Sequence, residues 1–188
     1  MKKTLILYYS HTGNNRYLAE RLARRLDADV EALRPRVNVF ALLLFFSWIR
    51  LSPGNRNIRH DIRAYDRLVL LGPIWAGQLI APLRNAIRKF RHKVPEIVFL
   101  TCCGSKDETK DDPYGYGRVF DRARKLAKGQ LHTCRAFPVV LAMPEDQRDQ
   151  DEEILGVRLN DANFAGQLEE RMEALIQELE PAFAAGAA

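Results

Sequence analysis

The chain has 188 residues, of which 47% are hydrophobic and 28% charged, with a formal net charge of +5. That length suits one domain, residues 1–188, with one sizeable core, and the balance excludes a disordered or fibrous chain. Three cysteines, Cys102, Cys103 and Cys134, form neither a disulfide framework nor a zinc spacing; they read as small buried residues and fit a reducing cytoplasm. The charge is uneven. Residues 1–93 carry 18 Lys/Arg against 6 Asp/Glu, and residues 94–188 carry 11 against 18. Such a dipolar surface steers charged partners. No basic–aromatic interleaving or helix-turn-helix pattern points to nucleic acid.

In chain order, Met1-Lys2-Lys3 and the short apolar run behind it lack the length and cleavage site of a secretory signal. Thr4–Tyr9 therefore reads as a buried first strand, and a cytoplasmic location is expected. From Asn15, Leu18, Leu22 and Leu26 recur every four positions with Ala19 and Ala23 beside them, which predicts an amphipathic helix. Val30–Leu33 is a short second strand. Arg67–Leu71 is a third, ending in Gly72-Pro73. A helix follows, with Pro82 in its first turn and Leu83, Ala86, Ile87 and Phe90 on one face. Ile97–Thr101 is a fourth strand. Val119, Phe120, Ala123, Leu126 and Ala127 predict another helix, closed by Gly129. Cys134–Met143 reads as a fifth strand interrupted by Pro138, and Phe164 to Leu179 as a long final helix before Pro181 and a small-residue tail, Ala182–Ala188. Apolar strands alternating with helices predict a doubly wound α/β sandwich, a parallel sheet covered on both faces. Ligands of such sheets bind outside the carboxyl ends of the strands, at the topological switch point.

Val37–Ile49 (VNVFALLLFFSWI) is the most apolar stretch and is followed by an arginine-rich segment. It is too short to span a membrane, which takes roughly 20 apolar residues. A buried crossover helix is the leading expectation, a homodimer interface the next. A membrane partner is not expected, although Arg36, Arg50, Arg56 and Arg59 flank the segment.

Three loops fall where a ligand belongs. Ser10-His11-Thr12-Gly13-Asn14-Asn15 joins the first strand to its helix. A helix start presents unpaired N–H groups and the positive end of its dipole; hydroxyls and amides add donors, and Gly13 lets the backbone curl. Six such residues together predict a phosphate site rather than a single helix cap. The loop carries neither a triphosphate nor a dinucleotide fingerprint. His11 could add a donor or be solvated. After the third strand, Gly72-Pro73-Ile74-Trp75-Ala76-Gly77-Gln78 offers a Trp suited to stacking on an aromatic ring, or to plugging the sheet edge. After the fourth come Thr101-Cys102-Cys103-Gly104-Ser105 and a long polar loop holding Tyr114 and Tyr116. Either tyrosine could cover the outer face of such a ring or simply pack the loop.

The stretch Ile6–Asn15 (ILYYSHTGNN) resembles the FMN phosphate loop of the flavodoxin family. Tyr65–Pro82 (YDRLVLLGPIWAGQLIAP) is similar to its second flavin loop, and Val98–Gly104 to its third. The resemblance runs from about Met1 to Met143. It implies a five-stranded sheet in the order 2-1-3-4-5 and FMN as cofactor. Ser10, Thr12, Asn14 and Asn15, with the backbone around Gly13, would then hold the phosphate. Pro73, Ile74, Trp75, Ala76 and Gly77 would flank the flavin ring, and Cys102, Cys103 and Gly104 would approach its pyrimidine edge. Three departures stand out: Asn15 where Thr is usual, a longer and more apolar 37–60 region, and a basic charge where electron shuttles are acidic. The resemblance implies a redox protein passing electrons to a partner protein or a small-molecule acceptor. An NAD(P)H-dependent flavin or quinone reductase and a flavin-free binding module remain the alternatives.

Overall fold

The computed structural model describes residues 1–149 and 151–181; the tail 182–188 lies outside them. The elements are Thr4–Tyr8 (β1), Asn14–Leu26 (α1), Asp29–Ala32 (β2), Phe40–Trp48 (α2), Arg67–Leu71 (β3), Ile74–Trp75 (β4), Gln78–Leu79 (β5), Ala81–Phe90 (α3), Glu96–Cys103 (β6), Tyr116–Ala127 (α4), Leu131–Pro138 (β7), Asp151–Gly156 (α5) and Gln167–Leu179 (α6). Five strands form one parallel sheet in the order β2-β1-β3-β6-β7. Counted along the sheet-forming strands, this is the expected 2-1-3-4-5 order.

Strand alternation sorts the apolar side chains onto two faces. Leu5, Leu7, Leu68, Leu70 and Phe99 face α3 and α4, meeting Leu83, Ile87, Val119 and Ala123. Ile6, Val69, Leu71, Val98 and Leu100 face α1 and α6, meeting Leu18, Leu22, Leu168, Met172 and Leu175. Because both faces are covered, the central strands read as continuous apolar runs and were legible as such.

Four expectations need correction. The fifth strand spans Leu131–Pro138, not Cys134–Met143. It is an edge strand, so exposed His132 and Arg135 are tolerated, and the ladder stops at Pro138 before a 3₁₀ turn at Val139–Ala142. The loop at Ile74–Leu79 is a β-hairpin, and its turn residues Ala76 and Gly77 both have positive φ, 47° and 64°, as a type I′ turn requires. The final helix begins at Gln167, leaving Phe164 to enter the core from the loop before it. The apolar segment does form a helix, α2, but it is not buried. Only Leu43 and Ser47 of α2 are buried and Leu44 and Phe46 half-buried, while Phe40, Leu42, Phe45 and Trp48 are exposed. No helix among the described residues is long and apolar enough to cross a membrane.

Candidate functional site

β1 and β3 are neighbours, but their chains leave in opposite directions: β1 through α1 to β2, β3 through α3 to β6. Their carboxyl ends therefore frame the switch-point crevice. The strands stay together at its floor, where the Tyr9 N–H donates to the Leu71 carbonyl at 2.9 Å. Gly72 allows that approach, since a Cβ there would lie 3.1 Å from the Tyr9 carbonyl oxygen and 2.9 Å from a Leu83 methyl.

The loop after β1 forms one wall. Gly13 takes φ 99° as the residue before α1, and its N–H donates to Ser10 Oγ at 3.1 Å. This turn leaves the N–H groups of Asn14, Asn15 and Arg16 in the first helical turn, where no intrahelical carbonyl can reach them. Exposed Thr12 adds a free hydroxyl. The amides of Asn14 and Asn15, expected to reach for the phosphate, are committed elsewhere. Asn15 donates to the Cys102 carbonyl at 3.1 Å and accepts from the Cys102 N–H at 2.9 Å. Asn14 donates to the Val157 carbonyl at 2.9 Å and accepts from the Leu159 N–H at 3.0 Å. Both are buried. Their backbone N–H groups, not their side chains, are what the loop offers.

An aromatic cluster forms the second wall. The half-buried Trp75 lies 4.8 Å from Phe40, 5.8 Å from Tyr9 and 5.8 Å from His11, ring centre to ring centre, all at steep angles. His11 stacks on Phe40 at 5.0 Å, so its ring extends the cluster. Phe40 could not be singled out from sequence, since it sits inside a uniformly apolar run. The hairpin that presents Trp75 is fixed from behind by Arg122, which donates to the Gly77 carbonyl and to Gln78 Oε1, both at 2.9 Å. Pro73 and Ile74 lead into it, half-buried.

The third expected loop is less available than the sequence implied. β6 runs on to Cys103, and alternation drives Cys102 into one core and Cys103 into the other. Burial raises both thiols, Cys103 to about 12, so neither side chain is offered to a ligand. Exposed Gly104 begins the loop proper. Tyr116 is also removed from the rim: it is buried in the first turn of α4, its hydroxyl donating to Asp107 Oδ1 at 2.6 Å. Tyr114 remains exposed. It stands beside the hairpin turn, because the Pro113–Tyr114 backbone packs so closely on Gly77 that a Cβ there would lie 2.1 Å from the Pro113 carbonyl oxygen.

Between the first loop and the crossover behind β2 opens a cleft of about 540 Å³. Ser10, Gly13, Arg16, Arg34 and Arg56 line it. The Arg34 and Arg56 guanidinium groups, with Arg16 also paired to Glu20 at 2.7 Å, lie beside a helix N-terminus and favour an anion. Tyr9 closes one side, its hydroxyl donating to Asn38 Oδ1 at 3.0 Å.

No protein-family model and no curated protein matches this sequence. Solved structures do. A flavoprotein from Lactobacillus acidophilus NCFM, crystallised in complex with FMN, superposes with a TM-score of 0.58 over 72% of this chain and 93% of that one, at 17% identity. A protein from Bacteroides eggerthii assigned as a flavoprotein gives 0.58 over 83% and 95%, at 18% identity. The fold is flavodoxin-like. In flavodoxin-like terms the crevice of Ser10–Arg16 and Trp75 lies at the switch point between the first and third sheet strands.

Proposed function

We propose that this protein is a flavodoxin-like flavoprotein that binds FMN non-covalently and takes part in electron transfer. The observation that carries the reading is the juxtaposition, in one crevice, of unpartnered first-turn N–H groups with an aromatic cluster. A phosphate ester bearing a flat ring system needs both. The FMN complex of the Lactobacillus acidophilus flavoprotein, which shares the fold, supports the choice of ligand. The N–H groups of Asn14, Asn15 and Arg16 and the hydroxyls of Ser10 and Thr12 would hold the phosphate, with Arg16 offsetting its charge. Trp75 and Tyr114 would flank the ring. When bound, FMN supplies the redox chemistry; the protein binds it, orients it and limits its contact with water.

Titration of the apoprotein with FMN tests this. Quenching of flavin fluorescence at one equivalent is expected, with riboflavin, which lacks the phosphate, bound at least about tenfold more weakly because the charge-assisted bonds are absent. Protein that is colourless as purified and quenches neither compound would end the proposal.

A further inference from the structure

The helix α2 is pinned to the body of the molecule from beneath by polar groups. Ser47 Oγ donates to the Leu43 carbonyl at 2.6 Å and accepts from the Ala81 N–H, the first of α3, at 2.9 Å. The buried guanidinium of Arg84 donates to the Ser47 carbonyl at 2.9 Å and the Leu79 carbonyl at 2.7 Å, with longer contacts of 3.4 Å to Phe46 and Leu51. It thus meets the negative end of the α2 dipole. This anchorage leaves Val39, Leu42 and Phe45 outward, with Trp48 70% and Leu51 59% exposed. A contiguous apolar surface of this kind marks an interaction site.

Beside it lies a cleft of about 470 Å³ lined by Arg50, Arg84, Arg88, Arg122 and Lys125, with no carboxylate in its lining. Arg50, Arg88 and Lys125 form no ion pair among the described residues. The crowding registers on Arg84, pushed down to about 10 by burial and then by the charges of Arg88, Arg50 and Arg122. A second copy of the chain docking here about a two-fold axis would bring these cations face to face.

We infer that α2 and the adjoining basic cleft form a docking face for an anionic lipid bilayer. The exposed aromatic and aliphatic side chains enter the boundary between headgroups and acyl chains, and Arg50, Arg88 and Lys125 meet the lipid phosphates. With nine residues, α2 lies in the surface and does not span it. The inference is independent of the flavin reading.

The test is sedimentation of the full chain with vesicles of phosphatidylcholine alone and of phosphatidylcholine and phosphatidylglycerol in equal parts. Pelleting with the anionic vesicles only, reversed by salt, is expected. F45S/W48S and R88E/K125E, all at exposed positions, should each weaken it about tenfold or more. Circular dichroism checks that the variants fold, and the salt titration of the unaltered chain stands without them. No pelleting, equal pelleting with neutral vesicles, or a dimer by light scattering that F45S/W48S turns into a monomer would overturn the proposal.

Discussion

Asn15 reaches 87 positions along the chain to take both polar groups of the Cys102 backbone, and Asn14 does the same for Val157 and Leu159. Leaving a buried backbone N–H or carbonyl unpaired costs about 1 to 3 kcal/mol each. Asn15→Ala should therefore lower stability by about 2 to 4 kcal/mol in urea denaturation. Thr12→Val, at an exposed position without internal bonds, should leave the urea midpoint in place and weaken FMN binding about three- to tenfold, read by fluorescence quenching. Loss of affinity without loss of stability in Asn15→Ala would return that amide to the ligand. The pattern of small polar residues was legible as a loop that offers donors. Which of those donors face outward was not, because their partners lie in distant segments.

At the scale of elements, Asp107 ties the segment between β6 and α4 to two helices. Asp107 accepts from the Tyr116 hydroxyl in α4 and pairs with the Arg171 guanidinium in α6. Burial works to raise its pKa, but the Tyr116 hydrogen bond and Arg171 outweigh it and hold the carboxyl below its ordinary 3.8. A carboxyl with a depressed folded-state pKa contributes stability above its unfolded value, and that contribution is lost as pH falls through the folded value. Residues 104–115 should thus resist limited proteolysis at neutral pH and become cleavable only as pH drops below about 3.8. In Asp107→Asn the segment should be cleaved at neutral pH as well. The β4–β5 hairpin that carries Trp75 depends likewise on a contact made far away in sequence, the Arg122 clamp from α4.

The whole molecule accounts for the charge asymmetry. Across the α1–α6 layer the two halves of the chain neutralise one another: Arg21 meets Glu169 at 2.7 Å and Arg25 meets Glu173 at 2.8 Å. On the opposite layer Arg50, Arg88 and Lys125, around Arg84, meet no such partners among the described residues. A third charge closes the sheet at its amino end. Arg67, 1% exposed at the start of β3, donates to Glu96 of β6 at 3.1 Å, to Glu180 at 2.8 Å and to the Leu179 carbonyl at 2.7 Å. Removing one partner of a buried ion cluster strands the others. Arg67→Met should cost about 3 to 5 kcal/mol in urea denaturation, the signature of a buried pair rather than a surface one.

The sequence by itself determined the sheet, its order and the place of the crevice. The strand order is what the likeness of the loops to the flavodoxin pattern implied; the rest follows from local periodicity: apolar runs for strands buried on both faces, a four-residue recurrence for the helices, and turn residues at the strand ends. Tertiary structure alone decided which donors of Ser10–Asn15 look outward, that Cys103 and Tyr116 turn into the core, and that α2 shows its apolar side to solvent. The first and the last are settled by partners far away in the chain, Cys102 for Asn15 and Arg84 for α2, and periodicity carries no record of such pairings; Cys103 is buried because β6 runs on past Thr101, and Tyr116 because Asp107, in the irregular loop before it, takes its hydroxyl.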